Sequence, residues 1–365
     1  MAKKLAHDKT LFTVVVLLVA LGLVMVYSAS AALTGGGASA GGPGGNPFFL
    51  KQAVAAGIGF VALLSAMHFD YRRLKRPAVV YAILGAAAAL LVAVLFAPVH
   101  NETHRWFVLG PVSFQPSEVA KLALVAYVAY QIDRKGERAD RPELLVPVGL
   151  VVGIVCGLVM LQPDMGTAVL LGTTAVAMLF LAGLPWRLFA GGATLALPAL
   201  FFLIVSAPYR RRRLLAFLDP EADPLGANYQ VQQSLIAVGS GGLLGVGLGN
   251  SLQKLHFLPQ PHTDFIYAIV AEELGMAGAL AVVALFGVLL WRGIAASLAA
   301  PDVFGRYLGL GLTLALGLQA LVNVSVALSL MPTKGIPMPF LSYGGSSLVV
   351  SMTACGVLLN LSEHA

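Results

Sequence analysis

Asp264 follows His262 and Thr263 and directly precedes an apolar run that begins Phe265-Ile266-Tyr267. An aspartate there can cap the helix that follows, accepting from its first free amides. It can equally serve as a base or ligand, because it closes the longest polar segment and its aromatic and apolar neighbours limit its hydration. Glu118 and Lys121 stand three residues apart where Pro116 and Ser117 would start a helix, so both lie on one face. Such a pair either neutralises itself and fixes packing, or holds a cation ready for a phosphate or carboxylate. Glu272 and Glu273 lie about 12 Å further along the Asp264 run by helical rise. One helix cannot point both the same way, so at least one is expected to pair inside the protein.

Other groups are weaker signals. Asp164, within Gln162-Pro163-Asp164-Met165-Gly166-Thr167, reads first as a helix cap beside a Pro/Gly turn. The run Arg210, Arg211, Arg212 and Arg213 suits anionic headgroups, or a diphosphate whose oxygens match guanidinium forks. Arg105-Trp106 is an interfacial anchor with a snorkelling neighbour, or a cation beside a sugar-stacking face. His100 and His104 flank Asn101-Glu102-Thr103 without HExxH order, so no zinc site is expected there. The glycine-rich run Gly239 to Gly249 lacks a Gly-Lys-Ser/Thr ending and a βαβ context, and is read as close backbone packing. Cys156 and Cys355 sit in apolar runs without metal or disulfide spacing and are read as packing residues.

The elements that position these groups follow from composition. Of 365 residues, 58% are hydrophobic and 11% charged, far from the roughly one-quarter charged makeup of soluble domains. The net charge of +6 sits in short basic clusters between apolar runs, which report membrane orientation and not a nucleic-acid partner. Apolar runs of spanning length are expected at about 11 to 33, 48 to 67, 78 to 97, 118 to 132, 144 to 161, 167 to 183, 186 to 207, 265 to 290, 306 to 330 and 346 to 361. The first contains Ala29-Ser30-Ala31, similar to a signal-peptidase site, but is too long for a signal peptide and is read as a retained helix.

A cytoplasmic N-terminus puts Lys3, Lys4, Lys9, Arg72, Arg73, Lys75, Arg76, Arg134, Lys135, Arg138, Arg141, Arg187, Arg292 and Arg306 inside. The C-terminus is then inside as well. Residues 34 to 47 form a glycine-rich connector, residues 98 to 117 and 331 to 345 carry more chemistry, and residues 208 to 264 make a large extracellular loop. Within that loop Asn228 to Leu244 is suited to an interfacial helix, broken by the glycine run. The expected fold is an all-α polytopic membrane protein of about ten transmembrane helices, a single membrane domain over 1–365. No repeated half is visible, which weakens an inverted-repeat transporter.

Four strings then fall together: RWFVLGPVSFQPSEVAK from Arg105 to Lys121, QPDMGT from Gln162 to Thr167, the loop from Gly239 to Phe265, and MPTKGIPMPFLSYGGSS from Met331 to Ser347. In this order and between these spans, the whole chain resembles the SEDS family. PHTDFIYAIVAEELG from Pro261 to Gly275 and PTKGIP from Pro332 to Pro337 resemble its cell-division branch, that of FtsW and SpoVE, more than the elongation protein RodA. Lys334 is the main discriminator.

The resemblance implies a ten-helix peptidoglycan glycosyltransferase in the bacterial cytoplasmic membrane that polymerises lipid II into glycan strands at the outer face. It implies partnership with a class B penicillin-binding protein and with other divisome or elongation proteins. Asp264 matches the family's essential loop aspartate, and Arg105, Glu118 and Lys121 match polar positions lining its cavity. Trp106, Arg210 to Arg213, His262, Thr263, Lys334 and Ser342 complete the expected substrate-binding set. Two departures occur: Leu258-Pro259-Gln260-Pro261 replaces the Leu-Pro-Glu-Ala of many division-branch members, so Gln260 takes no acid role, and Met165 replaces a usual Leu.

The residue chemistry is compatible. A glycosidase needs an acid for its leaving group, whereas a glycosyl diphosphate leaves as a stabilised anion, so one base plus cations suffices. No organic cofactor is expected; a divalent cation, Mg or Mn, fits the charge logic and the resemblance, although no ligand cluster is recognisable. Two other functions stand beside this one: a lipid II flippase using Glu118 and Lys121 as a gated polar path, and a scaffold that activates a partner synthase. Concentration of the polar groups at one leaflet favours the enzyme.

Overall fold

Side chains this apolar leave the backbone no partner but itself, and helices are the result. The computed structural model describes residues 7–31, 46–98, 104–109, 112–136, 142–219, 228–255 and 257–364. The expectations for Lys3 and Lys4, for residues 34–45, for His100 and for Arg138 and Arg141 lie outside them. The helices are α1 (Lys9–Ser30), α2 (Pro47–His68), α3 (Pro77–Ala93), α4 (Pro116–Lys135), α5 (Pro142–Leu161), α6 (Met165–Leu181), α7 (Trp186–Val205), α8 (Pro208–Leu218), α9 (Tyr229–Ser240), α10 (Ile266–Leu298), α11 (Val303–Ala327) and α12 (Gly345–His364). Between α3 and α4, β1 (Phe107–Leu109) and β2 (Val112–Phe114) form an antiparallel hairpin with Phe107 opposite Phe114.

The ten expected runs correspond to ten long helices, α1 to α7 and α10 to α12. Eight of these are long and apolar enough to cross a membrane. The other two are α6, apolar but only 17 residues long, and α4, which carries Glu118 and Lys121 toward one end and Asp133, Arg134 and Lys135 at the other. The chain is a multi-pass membrane protein.

Caps set many of the ends. Asp8 accepts from Leu11 N at the start of α1, Asn46 from Phe48 N and Phe49 N at the start of α2, and Asp164 from Thr167 N at the start of α6. Asp302 accepts from Gly305 N, which starts α11 at Val303 and not at the expected 306.

The run read as one span from 265 to 290 differs more. It continues to Leu298 and is broken at Gly275, whose φ of 67° and ψ of −169° lie outside any helix. The glycine-rich run fills the break: Val246 N and Gly247 N donate to the carbonyls of Glu272 and Glu273, and Met276 N and Ala277 N donate to those of Gly242 and Leu243. A Cβ on Gly275 would meet Gly245 N at 2.3 Å, so only glycine permits this approach. Close backbone packing is therefore what this run does.

Two contacts set the bundle's height. At one end Arg292 Nε donates to Asp8 Oδ2 at 2.6 Å; at the other Ser28 Oγ donates to Glu273 at 2.7 Å. A rise of 1.5 Å per residue puts Asp8 and Ser28 about 30 Å apart, one hydrocarbon thickness. The Asp8 end also holds the end of α12, through Asp8 N to Ser362 Oγ at 3.1 Å, and the α2–α3 turn, through Tyr71 N to Asn360 Oδ1 at 3.1 Å. The opposite end holds Asp264. In α7 no described side chain of the spanning stretch is fully buried; Phe189 packs against the core, and most of the remaining apolar surface faces outward.

Candidate active site

The carboxylate of Asp264 is not a cap. α10 starts after Phe265 with no side-chain cap bond, so the structural role the sequence allowed for Asp264 is not used. Its backbone is held instead. Asn323 Nδ2, from α11, donates to Asp264 O at 3.0 Å and to Ile336 O at 2.9 Å, tying the aspartate to the 331–345 segment. Ser342 Oγ donates to Thr263 O at 2.6 Å and accepts from Met338 N at 2.8 Å, while Tyr343 N donates to His262 O at 2.8 Å. The His262 ring packs between Phe48 and Tyr343, with centroids 4.9 and 5.6 Å away. Burial there lowers its pKa to about 4, so it is a neutral spacer at pH 7. Thr263 Oγ1 donates to Gln260 O at 3.2 Å.

The half-buried carboxylate is thus left facing a cluster of charge. Burial raises its pKa to about 6; Arg213 and Arg105 pull it down and Asp164 pushes it up. Arg213 is fixed from α8 by donation to Thr333 O at 3.0 Å and by stacking on Tyr209 at 4.4 Å. Arg105 donates through Nε to Gln162 O at 2.8 Å and through Nη2 to Pro163 O, so β1 and the turn before α6 are clamped together. Lys334 passes beside Gly166, and burial lowers its pKa against the pull of Asp164. Asp164 both caps α6 and lies in the field of this group, accepting from Thr167 Oγ1 at 2.9 Å and from Gln115 Nε2 at 3.4 Å.

A second layer lies deeper. Lys121 Nζ pairs with Glu118 Oε2 at 2.7 Å and donates to Gln319 Oε1; both charged side chains are buried. Gln319 Nε2 in turn donates to Pro337 O at 2.7 Å. One face of α11 therefore carries Gln319 toward Lys121 and Asn323 toward Asp264, and both reach the same 336–337 backbone. A cavity of about 10 Å³, room for one water, lies beside Lys121.

The basic run does not act as a unit. Arg213 joins the cluster, Arg210 turns back to Leu203 O at 3.1 Å, and Arg211 and Arg212 are exposed. Trp106 is half-buried beside Arg105. Glu272 and Glu273 are both engaged: Glu272 accepts from Leu252 N at 2.9 Å and from Ser251 Oγ, and Glu273 accepts from Lys254 Nζ at 2.7 Å and from Ser28. Gln319, Asn323 and Lys254 were not singled out from sequence; the available signal was an amide pair one helical turn apart inside an apolar run. Among the described residues no group of three His, Cys, Asp or Glu is placed to hold a metal ion.

Residues 8–365 match the family of FtsW, RodA and SpoVE, described as cell cycle proteins. A probable peptidoglycan glycosyltransferase FtsW from Geobacter metallireducens is 41% identical over 363 residues, 98% of this chain and 95% of that protein. The stage V sporulation protein E of Bacillus subtilis is 40% identical over 370 residues, 100% and 99% of the two chains. Among solved structures, one from work described as "Structural coordination of polymerization and crosslinking by a peptidoglycan synthase complex" superposes with a TM-score of 0.80 at 35% identity, covering 98% of each chain. The rod shape determining protein RodA of Thermus thermophilus gives 0.71 at 31% identity, covering 98% of this chain and 97% of that one.

Proposed function

Because the chain belongs to the FtsW, RodA and SpoVE family of cell cycle proteins, we propose that it is a peptidoglycan glycosyltransferase that polymerises lipid II, with Asp264 as general base. The observation that carries the assignment is the uncapped carboxylate of Asp264, with a pKa raised to about 6, facing Arg213 and Arg105. Its relatives include proteins named as peptidoglycan glycosyltransferases at 41% identity over nearly the full chain.

In the reaction, an acceptor sugar hydroxyl attacks the anomeric carbon of a sugar diphosphate lipid. The new bond is from the acceptor oxygen to that carbon; the bond from the carbon to the diphosphate oxygen breaks, and its electron pair leaves on the diphosphate. Asp264 takes the hydroxyl proton. A base with a pKa near 6 is mostly ionised at pH 7 yet retains proton affinity, the balance general-base catalysis needs. Attack from the face opposite the leaving group inverts the anomeric centre. Arg213, Arg105 and Lys334 are the cations for the charge developing on the diphosphates. Lys121 and Glu118 act from the deeper layer through Gln319 and the 336–337 backbone, which holds Asp264 in place.

A divalent cation fits only in part. Both Asp164 oxygens already accept protein hydrogen bonds, so Asp264 is the one carboxylate of the cluster without such ties among the described residues. An Mg or Mn ion would take most of its ligands from the diphosphates and water. No step is routed through it.

The Asp264 end is assigned to the outside and both termini to the cytoplasm, in accord with the basic turns Arg72–Arg76 and Arg134–Lys135 at the Asp8 end. A class B penicillin-binding protein is the proposed partner, supported by the 0.80 superposition on a structure from the study of a peptidoglycan synthase complex.

The test uses purified protein in liposomes with labelled lipid II, with and without the transpeptidase. Glycan chains made by the wild type and lost in Asp264→Asn support the assignment. Lipid II crossing the bilayer without any glycan product would instead identify a flippase. Product that appears only with the partner, undiminished by Asp264→Asn, would identify a scaffold.

A further inference from the structure

The glycine-rich turn between α9 and Asn250 is unusual for a segment outside the spanning helices, because no Asp, Glu, Lys or Arg occurs from Tyr229 to Gln253. Its leucines point outward: Leu243 is 67% exposed and Leu244 83%. Four backbone pairings, in two adjacent pairs, fasten this turn to residues 272–277 of α10.

The outward face of α10 gives these leucines a context. Its exposed large apolar residues below the Gly275 break run Met276, Leu280, Val283, Trp291, Ile294 and Leu298. Their spacing by three, four and multiples of these is one helical stripe. In a multi-pass protein, an apolar stripe left bare along a spanning helix faces acyl chains. Leu243 is bonded to Ala277 at the upper end of this stripe, so the turn continues a lipid-facing surface and does not begin a new one.

Height and backbone satisfaction agree. Glu273 meets Ser28, about 30 Å from the Asp8 end by helical rise, so Met276 and Ala277 lie just within the hydrocarbon boundary at the Asp264 end. Non-helical backbone at that depth requires its polar groups to be paired by protein. Here much of the pairing is supplied: Val246 N and Gly247 N donate to α10, the carbonyls of Gly242 and Leu243 accept from it, and Gly245 N donates to Gly241 O at 2.8 Å. The nearest charge in sequence, Lys254, is buried and paired with Glu273 at 2.7 Å and does not oppose insertion.

We propose that the Gly241–Gly249 turn is a lipid-inserted wedge, with Leu243, Leu244 and Leu248 among the acyl chains of the leaflet at the Asp264 end. The wedge ties the segment leading to Asp264 to the membrane surface through α10. It stands apart from the glycosyl transfer proposed above, since it concerns contact with ordinary phospholipid.

The test is collision accessibility of spin labels in the full-length protein, reconstituted in phosphatidylethanolamine/phosphatidylglycerol vesicles without substrate. Labels go on single cysteines replacing Leu243, Leu244 or Leu248, with Leu280→Cys on the α10 stripe as the lipid reference. Cys156 is replaced by Ala, and Cys355 is buried. Oxygen, which concentrates in acyl chains, should relax the labels at 243, 244 and 248 more than a water-soluble nickel chelate does, as at 280. Nickel exceeding oxygen at all three sites while 280 reports lipid would make the turn an aqueous loop and overturn the proposal. Low collision with both reagents would mean that protein covers it, overturning the proposal in favour of a self-association surface. Three exposed label sites keep the test decisive if one variant fails to insert.

Discussion

Gly335 lies against the carboxylate of Asp264: a Cβ built on it would stand 3.1 Å from Asp264 Oδ2. Its backbone does not require glycine, so the space does. Gly335→Ala is expected to leave folding intact and to move the carboxylate by a few tenths of an ångström. Displacements of about 1 Å cost about 10²-fold, so a loss of up to about tenfold in polymerisation rate is expected. Steady-state glycan synthesis checks it, and an Ala variant with wild-type rate would separate Gly335 from the base.

Asp264→Asn removes the proposed proton acceptor without removing a cap, because none exists. Membrane insertion and thermal stability should be retained, and polymerisation should fall by about 10²-fold to 10⁴-fold. Binding of lipid II should change far less, since the cations remain. Paired binding and turnover measurements on one preparation would show a binding role instead if affinity fell in step with rate.

The raised pKa of Asp264, from 3.8 to about 6, gives signed pH effects. The carboxylate proposed as base is protonated as pH falls through about 6, so kcat/KM is expected to decline on the acid side with a slope of one. Stability moves oppositely: between about 4 and 6 the folded chain holds a proton that the unfolded chain has released, so this residue's contribution falls as pH rises through that window. Asp264→Asn should abolish this dependence. Unfolding midpoints across pH 4 to 7 that coincide for the two proteins would show that the carboxylate is not raised.

Lys121 and Glu118 are mutually dependent. Removing Lys121 alone leaves a buried carboxylate unpaired, at a cost of about 3–5 kcal/mol, so Lys121→Met is expected to be both unstable and inactive. The double variant Glu118→Gln/Lys121→Met should recover most of the stability. If Lys121 only neutralises Glu118, the double variant will also recover activity; if it holds the 336–337 backbone through Gln319, activity will stay low.

Arg213 and Arg211 share a helix and a charge but not an environment. Arg213→Gln is expected to lower turnover by about tenfold to a hundredfold through loss of one anion-binding hydrogen-bond donor set, whereas Arg211→Gln should do little. Equal effects would show that the run acts as a diffuse charge.

Much of this was legible in the sequence. Eight of the ten long helices follow apolar run length, and Glu118 with Lys121 was visible as a charged pair opening one of the two runs that fall short of it. What escaped was whatever depends on chain crossing chain. Nothing in Phe265 to Leu298 marks Gly275 as a break, because a glycine within an apolar run is unremarkable until another backbone fills the gap. Four adjacent arginines look equivalent until α8 turns Arg213 toward Thr333 and leaves Arg211 and Arg212 facing out. Asp264 followed by an apolar run looks like an N-cap, and only the start of α10 after Phe265 shows that it is not.

The break at Gly275 leaves Ile266–Leu274 as a helical piece too short to persist alone, since isolated helices below about 12–15 residues are marginal in water. It is held by burial, Ile266, Ala268, Ile269 and Val270 all lying in the core, and by the glycine turn, which grips its last carbonyls. Asp264 therefore leads into a piece whose stability is borrowed from its neighbours, and loosening of the turn is expected to loosen that piece while the spanning helices stay packed. Amides 246–247 and 268–274 should then exchange with deuterium as one cooperative unit, separately from the lower part of α10.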